Sequence, residues 1–171
     1  IDAPVTGSTP KAITGELTIF IGAEKGIYER AKPVLASMGT NLRYMWWNGI
    51  WQAMKLVNNT LVAYSMIGLS EVTKLAQSMG LDMQNYTETV KSIPVASPYI
   101  AMKIDTLVRD EFPLMFSLAN MYKDIHLALG EMQKSGIQLD FLKLSDEKFR
   151  LWVEEGIGDM DLSAIVKVIG K

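Results

Sequence analysis

The sequence predicts a mainly α-helical protein: a short β-containing N-terminal segment, one long central helix, then a helical bundle. Three observations predict it. β-Branched and aromatic runs bounded by turn formers are confined to the first 47 positions, a proline-free stretch of helix formers fills residues 48–79, and capped helical segments occupy the remainder. The division places one domain at residues 1–47 and a second at 48–171, without internal repeats or low-complexity segments.

Taken in order, a first strand is predicted at residues 1–5, followed by a loop at 7–15 rich in Gly, Ser, Thr and Pro. A second strand runs over Leu17, Thr18, Ile19, Phe20 and Ile21 and stops at Gly22. A helix at 24–38 presents Ile27, Ala31, Val34 and Leu35 as its apolar face, with Gly39 as its stop, and a third strand occupies 42–46. The long helix at 48–79 ends where Gly80 supplies a left-handed cap. From Ile50 to Leu69 it is apolar nearly all round, which predicts burial in a core or interface, while Lys55, Asn58 and Asn59 argue against a membrane span. Further helices are predicted at 82–92, 98–108, 117–135, 145–155 and 162–168, with Asp82, Ser145 and Asp161 as N-caps and Gly136 and Gly156 as stops.

Composition excludes several functions. The chain has no cysteine and one histidine, which removes disulfides, thiolate metal sites and cysteine nucleophiles and leaves no basis for a histidine zinc site or a Ser-His-Asp triad. Net charge is −2 and the basic residues are scattered, so no patch reads as a footprint for nucleic acid. The chain opens at Ile1-Asp2-Ala3-Pro4 without a basic or apolar leader, which reads as beginning mid-structure and sets a cytoplasmic expectation. No G-x-G-x-x-G stands between a strand and a helix with a βαβ unit ahead of it, so a complete dinucleotide site is not expected.

Lys55 is the first candidate for chemistry, because an ammonium buried in an apolar helix is costly unless it is paired or functional. Helical spacing stacks Trp51, Lys55 and Asn59 on one face with Asn58 alongside. A desolvated lysine is tuned toward acid–base work at neutral pH, whereas the structural alternative is a lysine whose stem packs while its head reaches water. The turn through Thr6 and Gly7 could hold a carboxylate on free backbone N–H groups, although composition alone favours an ordinary turn. The adjacent Lys123 and Asp124 read as a solvated helical edge, His126 as a structural histidine, and Met115, Phe116, Met121 and Met132 as core.

These pieces together carry a family likeness. Asp2-Ala3-Pro4-Val5-Thr6-Gly7, Gly15-Glu16-Leu17-Thr18, Lys55-Leu56-Val57-Asn58-Asn59, Phe112-Pro113-Leu114, Lys123-Asp124 and Gly158-Asp159-Met160-Asp161-Leu162-Ser163-Ala164 occur in this order. Over essentially its whole length the chain resembles the β-hydroxyacid dehydrogenases, which include 3-hydroxyisobutyrate dehydrogenase, tartronate semialdehyde reductase and, more distantly, 6-phosphogluconate dehydrogenase. The resemblance implies an all-helical C-terminal domain of the 6-phosphogluconate dehydrogenase-like type, built on the long helix, preceded by a remnant of a Rossmann domain. It implies that Lys55 is the general acid–base residue, that Asn59 orients the substrate with Asn58 beside it, that Thr6 and Gly7 hold the substrate carboxylate, and that Lys123 lies by the cofactor.

The same resemblance implies an NAD- or NADP-dependent oxidoreductase acting on a small 3-hydroxyacid, assembled as a homodimer or tetramer through the helical domain. The chain is expected to be the C-terminal half of such an enzyme, to bind neither cofactor tightly alone and to be inactive alone. The family pattern G-x-x-G-x-G-x-x-x-K meets Trp46, Gly49 and Trp51 at its glycine positions, and Ser8 replaces a glycine of the turn. Indoles occupy volume that glycines leave open, so Trp46, Trp47 and Trp51 imply an altered pocket. The alternative is a non-enzymatic helical module that oligomerises or binds a ligand through this Trp-rich segment.

Overall fold

The structure, a computed structural model, describes residues 1–46 and 49–170 and divides into two compact units, Ile1–Asn58 and Asn59–Lys171. Its mainly helical composition matches the sequence expectation, and a small sheet is confined to the first unit.

In the first unit β1 (Val5–Thr6), β2 (Thr18–Ile21) and β3 (Asn41–Tyr44) form one sheet in that order. β1 is antiparallel to β2, with Thr6 opposite Thr18, and β2 is parallel to β3, with Ile21 opposite Tyr44. Helix α2 (Lys25–Leu35) connects the parallel pair in the strand–helix–strand order that the sequence predicts, forming a βαβ unit. Alternation along β2 turns Ile19 and Ile21 inward onto Ala23 and Leu35, with Tyr28, Ala31 and Leu42 packed against them. The expected face of α2 is therefore rotated: Ile27 and Val34 are exposed and Tyr28 takes their place.

Two connections also differ from expectation. The stretch after β1 contains α1 (Ser8–Ile13), because Pro10 falls in the first turn, where its missing N–H costs nothing. Helix α2 ends at Leu35 rather than Met38, and Gly39 is required for another reason. A Cβ there would lie 2.3 Å from the Leu17 carbonyl oxygen, so only glycine lets the chain pass this close to the start of β2.

Helix α3 (Ile50–Ser78), of 29 residues, lies within the predicted 48–79. It closes in a Schellman motif: Leu81 N–H donates to Ala76 O, Gly80 N–H to Gln77 O, and Gly80 takes φ +72°. Burial along it is not what an all-round apolar pattern implies. Met54, Lys55, Val57 and Leu61 are exposed, and the core face begins only at Ala63 and continues through Met66, Ile67, Leu69 and Thr73.

The second unit packs that face against α4 (Met83–Ser92), α5 (Pro98–Arg109), α6 (Leu118–Ser135) and α7 (Asp140–Trp152). Its fully buried side chains include Met66, Ile104, Leu118, Met121, Ile125 and Phe149, each contributing roughly 1.5–3 kcal/mol by leaving water. Side chains of Asp82, Ser97 and Ser117 cap the helices that follow them, accepting from Asn85, Ile100 and Asn120 N–H. Ser145 is not a cap: α7 starts earlier, at Asp140, and the buried Ser145 hydroxyl donates to Phe141 O inside it. Past α7 the chain makes a π-type turn containing Gly156 at φ +88°, and Leu162–Lys167 is a 3₁₀ rather than an α-helix. Among the described residues no helix is long and apolar enough to cross a membrane.

Candidate functional site

The predicted site residues fall partly in each unit. In the first, the sheet register separates two ends. Thr6, opposite Thr18, leads into Gly7 at one end, while Asp2 bridges Gly22 at the other, roughly 13 Å further along β2. Gly7 takes φ +136°, and a Cβ there would meet Lys11 Cβ at 2.8 Å, so this turn needs glycine for both conformation and space.

Helix α3 starts at the Gly22 end. Gly49 N–H donates to Asp2 Oδ2 at 2.6 Å, and Gly49 O accepts the first helical bond from Ala53. One turn before Lys55, the Trp51 ring stacks on Phe20 with centroids 3.7 Å apart and planes 11° apart. Phe20 and Thr18 share the sheet face opposite Ile19 and Ile21. The Gly49–Asp2 hydrogen bond and the Trp51–Phe20 stack thus tie the start of α3 to β2, the strand whose Thr18 pairs with Thr6. Lys55 is exposed, so of the two readings that the sequence left open the structure gives a lysine whose head reaches water rather than a buried ammonium.

The tryptophans have distinct roles. Trp51 is half-buried, and its buried indole N–H has no hydrogen-bond partner among the described residues. Trp46 is 68% exposed, tilts against Tyr44 at 5.3 Å, and has φ +70°. Trp46 therefore holds a left-handed backbone at a strain of about 1–2 kcal/mol. Trp46→Gly is expected to be more stable than Trp46→Ala by about 1 kcal/mol, the reverse of the order at right-handed positions, and urea unfolding of the two variants measures this. Trp47 lies outside the described residues.

In the second unit, Asn59 Nδ2 donates to Asp124 Oδ2 at 2.6 Å, and Lys123 Nζ lies 3.2 Å from Asp124 Oδ1. Lys123 is exposed but Asp124 is buried, which corrects the reading of the pair as a solvated edge. Asp124 is the residue that sequence reasoning missed. Its spacing of three from buried Met121, one turn after Leu118, was the available signal. A carboxylate at this position accepts from the Asn59 NH₂ and fixes the direction of that amide. Asn58 belongs to the first unit and is exposed. His126 is exposed too, with Nδ1 3.0 Å from Asp146 Oδ1 on α7.

A second buried carboxylate, Asp161, accepts from Lys103 Nζ at 2.8 Å, from Met115 and Phe116 N–H, and from the backbone and hydroxyl of Ser163. Burial pushes its carboxyl up, but the hydrogen bonds from Lys103, Ser163 and Met115 outweigh this and hold it below the usual carboxylate range. Burial and the Asp161 charge both push the Tyr99 hydroxyl upward, so it stays protonated. This node holds α5, the 110–117 segment and the 3₁₀ helix together.

The resemblance implies a nicotinamide dinucleotide, whose pyrophosphate in α/β folds sits where a parallel strand turns into a helix. The β2–α2 turn does not fit it. Glu24 occupies the N-cap position of α2, where its charge repels a phosphate, and a Cβ added to Gly26 would meet nothing within 4 Å, so no close backbone approach calls for glycine there. Among the described residues no cluster of His, Cys, Asp or Glu could hold a metal ion.

Comparison with known proteins gives the family. Residues 49–169 match the family described as NAD-binding of NADP-dependent 3-hydroxyisobutyrate dehydrogenase, and residues 1–48 match the NAD binding domain of 6-phosphogluconate dehydrogenase. Glyoxylate/succinic semialdehyde reductase 2 of Arabidopsis thaliana is 30% identical over 99% of this chain and 47% of its own length. The 2-(hydroxymethyl)glutarate dehydrogenase of Eubacterium barkeri is 30% identical over 98% of this chain and 56% of its own. The chain spans about half the length of the curated relatives it matches. The same fold occurs in a 3-hydroxyisobutyrate dehydrogenase of Mycobacterium tuberculosis solved with L-serine, at TM-score 0.88 and 24% identity over 99% of this chain and 60% of that one. With residues 49–169 inside that family, the chain belongs to the NAD(P)-dependent 3-hydroxyisobutyrate dehydrogenase family of hydroxyacid oxidoreductases.

Proposed function

We propose that this chain supplies the acid–base and substrate-holding groups for hydride transfer between a small 3-hydroxyacid and NAD or NADP, with Lys55 as the acid–base residue. One observation carries the reading: within the first unit Trp51, one turn before exposed Lys55, stacks on Phe20 of β2, the strand whose Thr18 pairs with Thr6. In this reading the substrate carboxylate lies at the Thr6 hydroxyl and the open backbone of Gly7. By the family resemblance Asn59, whose amide direction is set by Asp124, would orient the substrate with Asn58 beside it, and Lys123 would lie by the cofactor. In oxidation a neutral Lys55 amine takes the hydroxyl proton as the carbonyl forms, and in reduction the ammonium returns it.

Residues 1–47 then serve as the last part of a nucleotide-binding domain and residues 48–171 as a helical domain of the 6-phosphogluconate dehydrogenase type that pairs in dimers or tetramers. The test is turnover of 3-hydroxyacids by the whole protein with Lys55→Ala, and a variant with undiminished turnover would overturn the assignment. Because the β2–α2 turn does not suit a pyrophosphate, the chain alone is expected to bind neither cofactor tightly and to show no turnover. Titration with NADH and NADPH, followed by energy transfer from tryptophan to the dihydronicotinamide, measures this. Saturable transfer at micromolar cofactor would contradict it.

A further inference from the structure

We infer that Asp2 is a positioning residue for Lys55: its carboxylate fixes the first turn of α3 to the end of the sheet. Asp2 is held against Gly22 by two backbone hydrogen bonds, Asp2 N–H to Gly22 O at 2.9 Å and Gly22 N–H to Asp2 O at 3.0 Å. Its side chain then spans two chain segments. Oδ1 accepts from Gly22 N–H at 3.2 Å, and Oδ2 accepts from Gly49 N–H at 2.6 Å. Gly49 is the residue whose carbonyl starts α3, so Asp2 acts as an N-cap supplied from another part of the chain.

Three features give this contact its effect. The acceptor is charged and the bond short, which marks the stronger class of hydrogen bond, and a negative charge at a helix N-terminus is favoured by the aligned peptide dipoles. Gly49 takes φ +87°, a conformation that glycine alone adopts freely and that needs an external contact to hold it. The flanking ring stack of Trp51 on Phe20 fixes the rotation of the same turn about its axis. Lys55 lies six residues beyond Gly49, about 9 Å along the helix, so a change at Gly49 is passed to its amine through a rigid element.

An asparagine at position 2 keeps the shape but has one oxygen for two donors, and its NH₂ must face either Gly22 or Gly49 N–H. The effect of Asp2→Asn is therefore specific to the clamp and does not remove side-chain volume. Asp2→Glu retains both acceptor oxygens and is expected to recover part of the function.

The inference rests on Lys55 being the acid–base residue, and the experiment separates the two ideas. In ¹⁵N-labelled chain, the Gly49 amide proton is expected to lie far downfield and to move upfield in Asp2→Asn. An unchanged Gly49 signal overturns the clamp whatever Lys55 does. In the whole protein, Asp2→Asn is expected to lower kcat by about tenfold with KM little changed, and to lower it no further in a Lys55→Ala background. An equal fold-loss in both backgrounds, or a loss confined to KM, overturns the positioning role. Full activity of Lys55→Ala by itself overturns the acid–base reading and with it the link from Asp2 to catalysis, leaving the amide shift as the separate measure of the clamp.

Discussion

Lys55→Ala is expected to lower turnover of a 3-hydroxyacid by about 100- to 10,000-fold, the range that a positioned acid–base group contributes. Exposure of Lys55 makes this a clean measurement. The side chain fills no core space, so its removal is expected to change stability by no more than about 0.5 kcal/mol, and a loss of turnover cannot be ascribed to unfolding. Lys55→Arg should not restore the rate, because a guanidinium stays charged and cannot accept the hydroxyl proton. Single-turnover rates, with urea unfolding in parallel, decide the matter. A loss below about tenfold would remove Lys55 from the proton-transfer step.

The largest effect on stability is expected at the Lys103–Asp161 pair. Lys103→Met leaves a carboxylate with no cation in a site where both side chains are almost wholly buried, and breaking such a pair costs about 3–5 kcal/mol. Asp161→Ala is at least as severe, since it strands the Lys103 ammonium together with the N–H groups of Met115, Phe116 and Ser163. Thermal midpoints should fall by about 10 °C or more in either variant. Its pH dependence follows from the depressed carboxyl. Above about pH 3.9, the ordinary value for an unfolded aspartate, the stabilisation is complete, and as pH falls below it toward the lower value in the fold the stabilisation is progressively lost. Asp161→Asn should flatten that acid limb, and a variant with the same acid limb as the wild type would show that another carboxylate governs it.

Much of the helical architecture was legible in the sequence because its signals are local. Gly80 ends α3, Ser117 and Gly136 bracket α6, and alternation along Thr18–Ile21 gives β2 its buried face. What was not legible depended on distant partners. Ser145 has the chemistry of an N-cap, yet α7 starts at Asp140 behind Leu139, which offers no capping side chain, because packing of Leu142 and Phe149 decides where the helix runs. A buried Lys55 was one of two readings of the apolar residues around it, but an apolar helix circumference does not say which neighbours cover it. Asp124 lay on the buried face of α6 by its spacing and was hidden by the Lys123 beside it. Lys103 and Asp161 stand 58 residues apart, and no local pattern announces that they meet.

That separation also bears on how the molecule reaches and leaves its native state. Contacts between Asp161 and Lys103, and between Asp161 and Met115 or Phe116, close loops of 58, 46 and 45 residues, so they demand a loss of chain freedom before any of them can form. Such a node condenses late, after the helices it joins have docked, and is largely absent from the folding transition state. Its contribution then falls mainly on the escape rate: weakening it leaves refolding nearly as fast as before and shortens the lifetime of the native state. Asp161 in this way governs the protein's persistence more than its assembly.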